Sequence, residues 1–168
     1  MRDAAGLRPT PDRVRETVFN WLAHLKPDLS SVRGIDLFAG TGALGFELAS
    51  RGAARVVLVE RAPALVAQLT ALKDKLAAAQ VEILRGDALA VAASFPAASF
   101  DLVFLDPPYD AGLLPQALRA AQRLLAPEGL IYAEHDAPID AARASEFGLI
   151  VVRAARAGAV CFHLLRSD

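Results

Sequence analysis

The sequence predicts an α/β fold: a three-layer, doubly wound sheet of five parallel strands that closes on a C-terminal antiparallel hairpin. Three observations carry this expectation. Short apolar runs at 33–38, 55–59, 81–84, 101–105 and 130–134 alternate with longer stretches of mainly helical periodicity, the pattern of a parallel sheet covered on both faces. The first run passes straight into a glycine loop, Gly40-Thr41-Gly42-Ala43-Leu44-Gly45, at the edge where open α/β sheets bind ligands. The last two runs, 149–153 and 160–165, are joined by 154–159 alone, too little chain for a crossover helix, so they pair as a hairpin.

The elements follow in order. Thr10-Pro11 reads as an N-cap and a proline at the first helical position. Val14, Val18, Trp21, Leu22 and Leu25 then recur on one helical face until Lys26-Pro27 ends the segment. The first strand, 33–38, precedes a helix at 43–51 that Gly52 stops. A second strand at 55–59 leads into an alanine- and leucine-rich helix over 63–79, and a third strand covers 81–84. Asp101-Leu102-Val103-Phe104-Leu105 is a buried fourth strand. A helix over 113–125 tolerates Pro115 in its first turn, and Pro127-Glu128-Gly129 makes a turn before the fifth strand. A short helix at 139–146 leads to the hairpin. No repeat or linker interrupts 1–168, so a single domain is expected.

Bulk properties narrow the function. A chain of 168 residues, 54% hydrophobic and 22% charged, has material for one packed core and is neither disordered nor fibrous. No apolar stretch is long enough for a bilayer, and Met1-Arg2-Asp3 opens no signal-peptide core. The single cysteine, Cys161, suits a reducing cytoplasm and reads as a buried small hydrophobe. The scattered histidines offer no metal-ligand spacing, so no metal is expected. His135 follows an expected strand near the edge of interest, although a surface or hydrogen-bonded structural role explains it better. A net charge of −1 excludes indiscriminate coating of nucleic acid, and any polyanion must meet a local patch. Arg2, Arg8, Arg13 and Arg15, or Arg143, Arg153, Arg156 and Arg166, could form one; a solvated surface accounts for them equally.

The fourth strand ends in Asp106-Pro107-Pro108-Tyr109. Asp106 can accept a hydrogen bond from an amino N–H, the paired prolines stiffen the backbone, and Tyr109 offers a ring to stack on. Together they suit gripping a planar amine, although an Asp-Pro turn would look the same in isolation. Gly40-x-Gly42-x-x-Gly45 satisfies the dinucleotide fingerprint, and Glu60 lies where a ribose-binding acid belongs. An NAD-dependent oxidoreductase is therefore one reading. It gives no role to residues 106–109, nor to Asp36 inside the first strand, where a carboxylate needs hydrogen-bonding partners. Asp36-x-Phe38-x-Gly40-x-Gly42 is instead the pattern of S-adenosylmethionine-dependent methyltransferases. Arg85-Gly86-Asp87-Ala88 closes the third strand with a further acid.

Taken together, Leu7-Arg8-Pro9-Thr10, the segment Asp12-Arg13-Val14-Arg15-Glu16-Thr17-Val18-Phe19-Asn20-Trp21-Leu22, the 36–45 loop and Asp106-Pro107-Pro108-Tyr109 resemble the RsmD-type methyltransferases. The resemblance runs from Gly6 to nearly the end of the chain. It implies a class I, Rossmann-like methyltransferase sheet and methylation of the exocyclic N2 of a guanine in small-subunit (16S) ribosomal RNA, the family's target being guanine 966. It implies S-adenosylmethionine as cofactor, with Asp36, Gly40 and Gly42 cradling the methionine part, Glu60 the ribose and Asp87 the adenine. Phe38, Arg61, Ala88 and Asp106 complete the expected cofactor set, with Thr10 and Arg13 in an N-terminal segment closing over it. Asp106, Pro107, Pro108 and Tyr109 would hold the target base. The implied partner is ribosomal RNA within an assembling particle, met by a monomer.

Two departures from the family pattern accompany the resemblance. Only Met1 to Ala5 precede the Gly6-Leu7-Arg8-Pro9-Thr10 segment, where the family carries a basic stretch, so the grip on RNA is expected either to be weaker or to lean on other surfaces. Thr70-Ala71-Leu72-Lys73 lacks the family's asparagine. Two other amino-methyltransferase readings share the loop: N6-adenine enzymes, of which those that read DNA generally need a recognition domain, and glutamine enzymes, which usually have asparagine at position 106.

Overall fold

A computed structural model describes residues 10–168; Arg2, Arg8 and the Leu7-Arg8-Pro9 segment lie outside the described residues. The first helix, α1 (Asp12–Leu25), buries Val14, Val18, Phe19 and Leu22, the stripe expected from a 3.6-residue period. Its start corrects the expected cap. Pro11 has an extended backbone (φ −56°, ψ 144°) and is itself the cap, with no side-chain hydrogen bond. Its carbonyl accepts from Val14 and Arg15, so Thr10 lies one residue outside the helix.

The strands are β1 (Arg33–Asp36), β2 (Arg55–Glu60), β3 (Val81–Arg85), β4 (Phe100–Leu105), β5 (Leu125–His135), β6 (Leu149–Ala157) and β7 (Val160–Ser167). They form one sheet in the order β3-β2-β1-β4-β5-β7-β6. The first five are parallel, and β7 runs antiparallel between β5 and β6. The hairpin is tighter than expected: Ala157 pairs with Val160 across Gly158 and Ala159, and Gly158 takes φ 60°. The expected turn at 127–129 is an excursion within β5. Phe100 pairs with Leu125 but Leu102 with Leu130, so the chain loops out between them, with Glu128 at φ 66°.

The helices α2 (Ala43–Ser50) and α3 (Pro63–Leu76) join α1 on one face of the sheet, and α4 (Ala88–Ser94), α5 (Leu114–Leu124) and α6 (Ala141–Ser145) cover the other. Each side has its own buried apolar cluster, one around Phe19, Phe104 and Tyr132 and the other around Phe100, Leu118 and Ile131. Helix α3 stops before 79 because Ala77 turns left-handed at φ 50° and its N–H bonds back to Asp74 and Lys73. The sequence reading missed α4. Strand β1 ends at Asp36, two residues early, where Phe38 N–H folds back onto Asp36 Oδ1 at 3.1 Å. That early exit opens the sheet's carboxyl edge.

Candidate active site

The carboxyl ends of β1, β2, β3 and β4 surround a cavity of about 790 Å³, within the range of small-molecule sites. Asp36, Glu60, Asp87 and Asp106, one acid after each of these strands, all line it. So do Thr10, Phe38, Gly40, Arg61, Ala88, Pro107, Pro108 and Tyr109. Two expected residues are not part of the lining. Arg13 is exposed on α1, and Gly42 is buried beneath the loop.

Packing also requires a glycine at position 42. Its φ is 81°, and a Cβ there would lie 2.6 Å from Leu69 Cδ2 and 2.7 Å from Phe46 Cδ2, so only glycine lets α2 start so close to α3. The Gly-x-Gly spacing thus serves helix packing at Gly42 and the cavity at Gly40.

Asp36 is 2% exposed. Burial is the largest cause pushing its pKa up to about 7, opposed by the Phe38 N–H and reinforced by the negative charges of Glu134 and Glu60. A carboxyl so placed favours a cationic partner. Glu60 ties two loops together: its Oε2 accepts from Gly40 N–H at 2.9 Å, and its Oε1 from Arg61 and Ala62 N–H at 3.0 Å each. A carboxylate has about four acceptor positions, so one is left for a ligand. Asp87 caps α4 by accepting from Ala90 N–H at 3.0 Å.

After β4, buried Pro107 and exposed Pro108 lead into a single 3₁₀ turn, Tyr109–Ala111. The Tyr109 ring packs against that of His135 with centroids 5.3 Å apart. His135 Nδ1 accepts from Ala137 N–H at 3.2 Å, so this histidine buttresses Tyr109 from outside the cavity. His163 is a core residue whose Nε2 accepts from Ile139 N–H at 2.9 Å; burial pushes its pKa down.

Sequence reasoning missed part of the wall. Leu65 and Gln68 of α3, Leu89 of α4 and Leu113 before α5 line the cavity. The signal available for Leu65 and Gln68 was their place on the face of α3 beside Leu69 and Leu72, which pack inward. Among the described residues no group of three or more His, Cys, Asp or Glu could hold a metal ion, and no helix is long and apolar enough to cross a membrane.

Comparison with known proteins agrees with this geometry. Residues 1–166 match the family described as Conserved hypothetical protein 95. The chain is 40% identical over 136 residues to ribosomal RNA small subunit methyltransferase D of Escherichia coli K12, covering 80% of this chain and 67% of that one. To the protein of the same name from Haemophilus influenzae it is 40% identical over 139 residues, covering 79% and 69%. The solved structure of yhhF from Escherichia coli aligns with a TM-score of 0.81 at 35% identity, covering 97% of this chain and 89% of that one. A strand order with one antiparallel strand inserted next to the last, four converging acids and these matches lead to one assignment: the chain belongs to the RsmD-type family of class I methyltransferases.

Proposed function

We propose that this protein transfers a methyl group from S-adenosylmethionine to the exocyclic N2 of a guanine in small-subunit ribosomal RNA, the family's guanine 966. The observation that carries the proposal is the meeting, in one cavity, of Asp36, Glu60 and Asp87 with the Asp106-Pro107-Pro108-Tyr109 wall. The names of the relatives supply the RNA.

The residues present fit the cofactor. Asp36 is a buried acid whose proton affinity is raised until a cation arrives, and its place suits the ammonium. Glu60 keeps one acceptor position for a ribose hydroxyl, Asp87 lines the cavity where an adenine amine would lie, and Leu65 and Leu89 offer apolar contact to a ring. S-adenosylmethionine supplies an electrophilic methyl on a positively charged sulfur.

The chain's task is then to present a poor nucleophile. Guanine N2 has its lone pair delocalised into the ring. Asp106 and the Pro107 carbonyl would accept its two hydrogens, turning the lone pair toward the methyl, while Tyr109, braced by His135, stacks on the base. Holding the reactants at near-attack distance contributes several kcal/mol on its own. As the nitrogen takes the methyl, Asp106 or water would accept its N–H proton, the former S–C bonding pair staying on sulfur. A base inside a duplex cannot reach such a pocket, so an RNA loop or bulge presented by an assembling particle is the fitting substrate.

The test offers labelled S-adenosylmethionine to under-methylated small subunits, protein-free RNA and ribosomal proteins in parallel. Label in the RNA, strongest from the particle, is expected. Label in protein, or none anywhere while the cofactor still binds, contradicts the proposal.

A further inference from the structure

Strand β5 carries two polar side chains that have no place in the mechanism above. Glu134 is 2% exposed and Tyr132 is fully buried; the two side chains face each other, and among the described residues neither Glu134 Oε1 nor the Tyr132 hydroxyl makes a well-formed hydrogen bond. Such groups are costly to bury unless something satisfies them. Phe104 pairs with both Asp36 and Tyr132, and Leu105 pairs with Ala133. The register therefore sets Asp36, Tyr132 and Glu134 on one face of the sheet, with Glu134 across from Asp106 at the carboxyl edge.

Asp36 and Asp106 line the cavity, whereas Glu134 stands behind its wall. Its charge still reaches the site. After burial, which is the largest cause, the negative charge of Glu134 is one of two that raise the proton affinity of Asp36, Glu60 being the other. Burial and then the charge of Glu134 also push the Tyr132 phenol far above its ordinary range. Among the described residues no lysine, arginine or histidine pairs with Glu134 or Asp36. The charges that act on this spot are those of Glu134, Glu60 and Asp106, with the phenols of Tyr132 and Tyr109 beside them.

We propose that Glu134 is a positioning residue that sets the charge preference of the cofactor site: a buried carboxylate behind the cavity wall that favours the sulfonium of S-adenosylmethionine over the neutral thioether of S-adenosylhomocysteine. The inference rests on the cofactor reading given above. Both ligands bring the same ammonium and carboxylate, so the fixed charge on sulfur is what Glu134 distinguishes. When the S–CH3 bond breaks and the N–CH3 bond forms, sulfur keeps the electron pair and becomes neutral. The attraction from Glu134 is lost at that moment, and the product is released more readily. Because this charge is buried, bulk salt screens it weakly.

Calorimetric titration of both ligands without RNA tests the inference on wild type, Glu134→Gln and Glu134→Asp. Glu134→Gln should weaken S-adenosylmethionine about tenfold more than S-adenosylhomocysteine, and Glu134→Asp, which keeps the charge, should restore most of the ratio. Equal weakening of both ligands, or no change, overturns the inference while leaving the cofactor reading intact. Binding of neither ligand to wild type overturns the cofactor reading itself. Should Glu134→Gln fail to fold, the wild-type affinity ratio decides. It should hold between about 50 and 500 mM salt, and a collapse toward the value of an exposed charge refutes the role.

Discussion

Replacing Asp36 with asparagine separates the charge of this side chain from its shape. The amide oxygen can still accept the Phe38 N–H that now reaches Asp36 Oδ1 at 3.1 Å, so the loop has no reason to move. The pKa of Asp36 is raised from 3.8 to about 7. Between those values the unfolded chain has released the proton and the folded chain still holds it, so stability falls as pH rises from about 4 to 7. At about 1.4 kcal/mol per pH unit, the ionised group costs the ligand-free fold roughly 4 kcal/mol by pH 8. Asparagine carries no such slope. Desolvating its amide costs about 1–3 kcal/mol, independent of pH.

Urea unfolding of both proteins at pH 5 and pH 8 reads the difference. The variant should gain about 2–3 kcal/mol relative to wild type between the two pH values, or roughly 5–10 °C in Tm for a domain of this size. The same variant should lose most S-adenosylmethionine binding, whereas wild-type affinity should rise with pH up to about 7. A stability difference independent of pH refutes the argument, for it would mean that Asp36 is not titrating in a buried, acid-rich setting.

Other substitutions probe separate links. Asp106→Ala should reduce methyl transfer by about 10²–10³-fold with cofactor affinity within about threefold of wild type; a parallel loss of binding would place Asp106 on the cofactor instead. Gly42→Ala forces an L-residue to φ 81° and a Cβ within 2.6 Å of Leu69, so denaturation should show a loss of at least about 2 kcal/mol. Tyr132→Phe removes a buried hydroxyl that faces Glu134 without a well-formed hydrogen bond among the described residues and should change stability by less than about 1 kcal/mol; marked destabilisation would show that the hydroxyl satisfies Glu134.

The sheet was legible because each of its first five strands is an apolar run bounded by turn residues, and because 154–159 is too short to cross the sheet. Helix α4 was not. It is only seven residues long, its alanines give little periodic contrast, and the Asp87 that caps it reads in the sequence as a ligand-binding acid. The acids after β1 to β4 were readable because parallel topology sends every strand's carboxyl end to one edge. Gly42 and Gly45 read as ligand residues by spacing; at Gly42 the structure adds a packing reason, Phe46 four residues along α2 and Leu69 of α3 lying against it, and the contact with α3 is one that no local pattern encodes. Glu134 was equally invisible. An acid ending a strand reads as a solvated terminus, and its burial emerges only once its neighbours on the sheet have been set beside it. Arg13, read as part of a closing segment, is exposed on α1 and does not line the cavity.

The most direct test of the central claim is nucleoside analysis of RNA from small subunits methylated by the purified protein with labelled S-adenosylmethionine. Label is expected in N2-methylguanosine at a single site, reduced at least about 100-fold when Asp106→Ala replaces wild type. Label in N6-methyladenosine, or the same yield from Asp106→Ala, would contradict it.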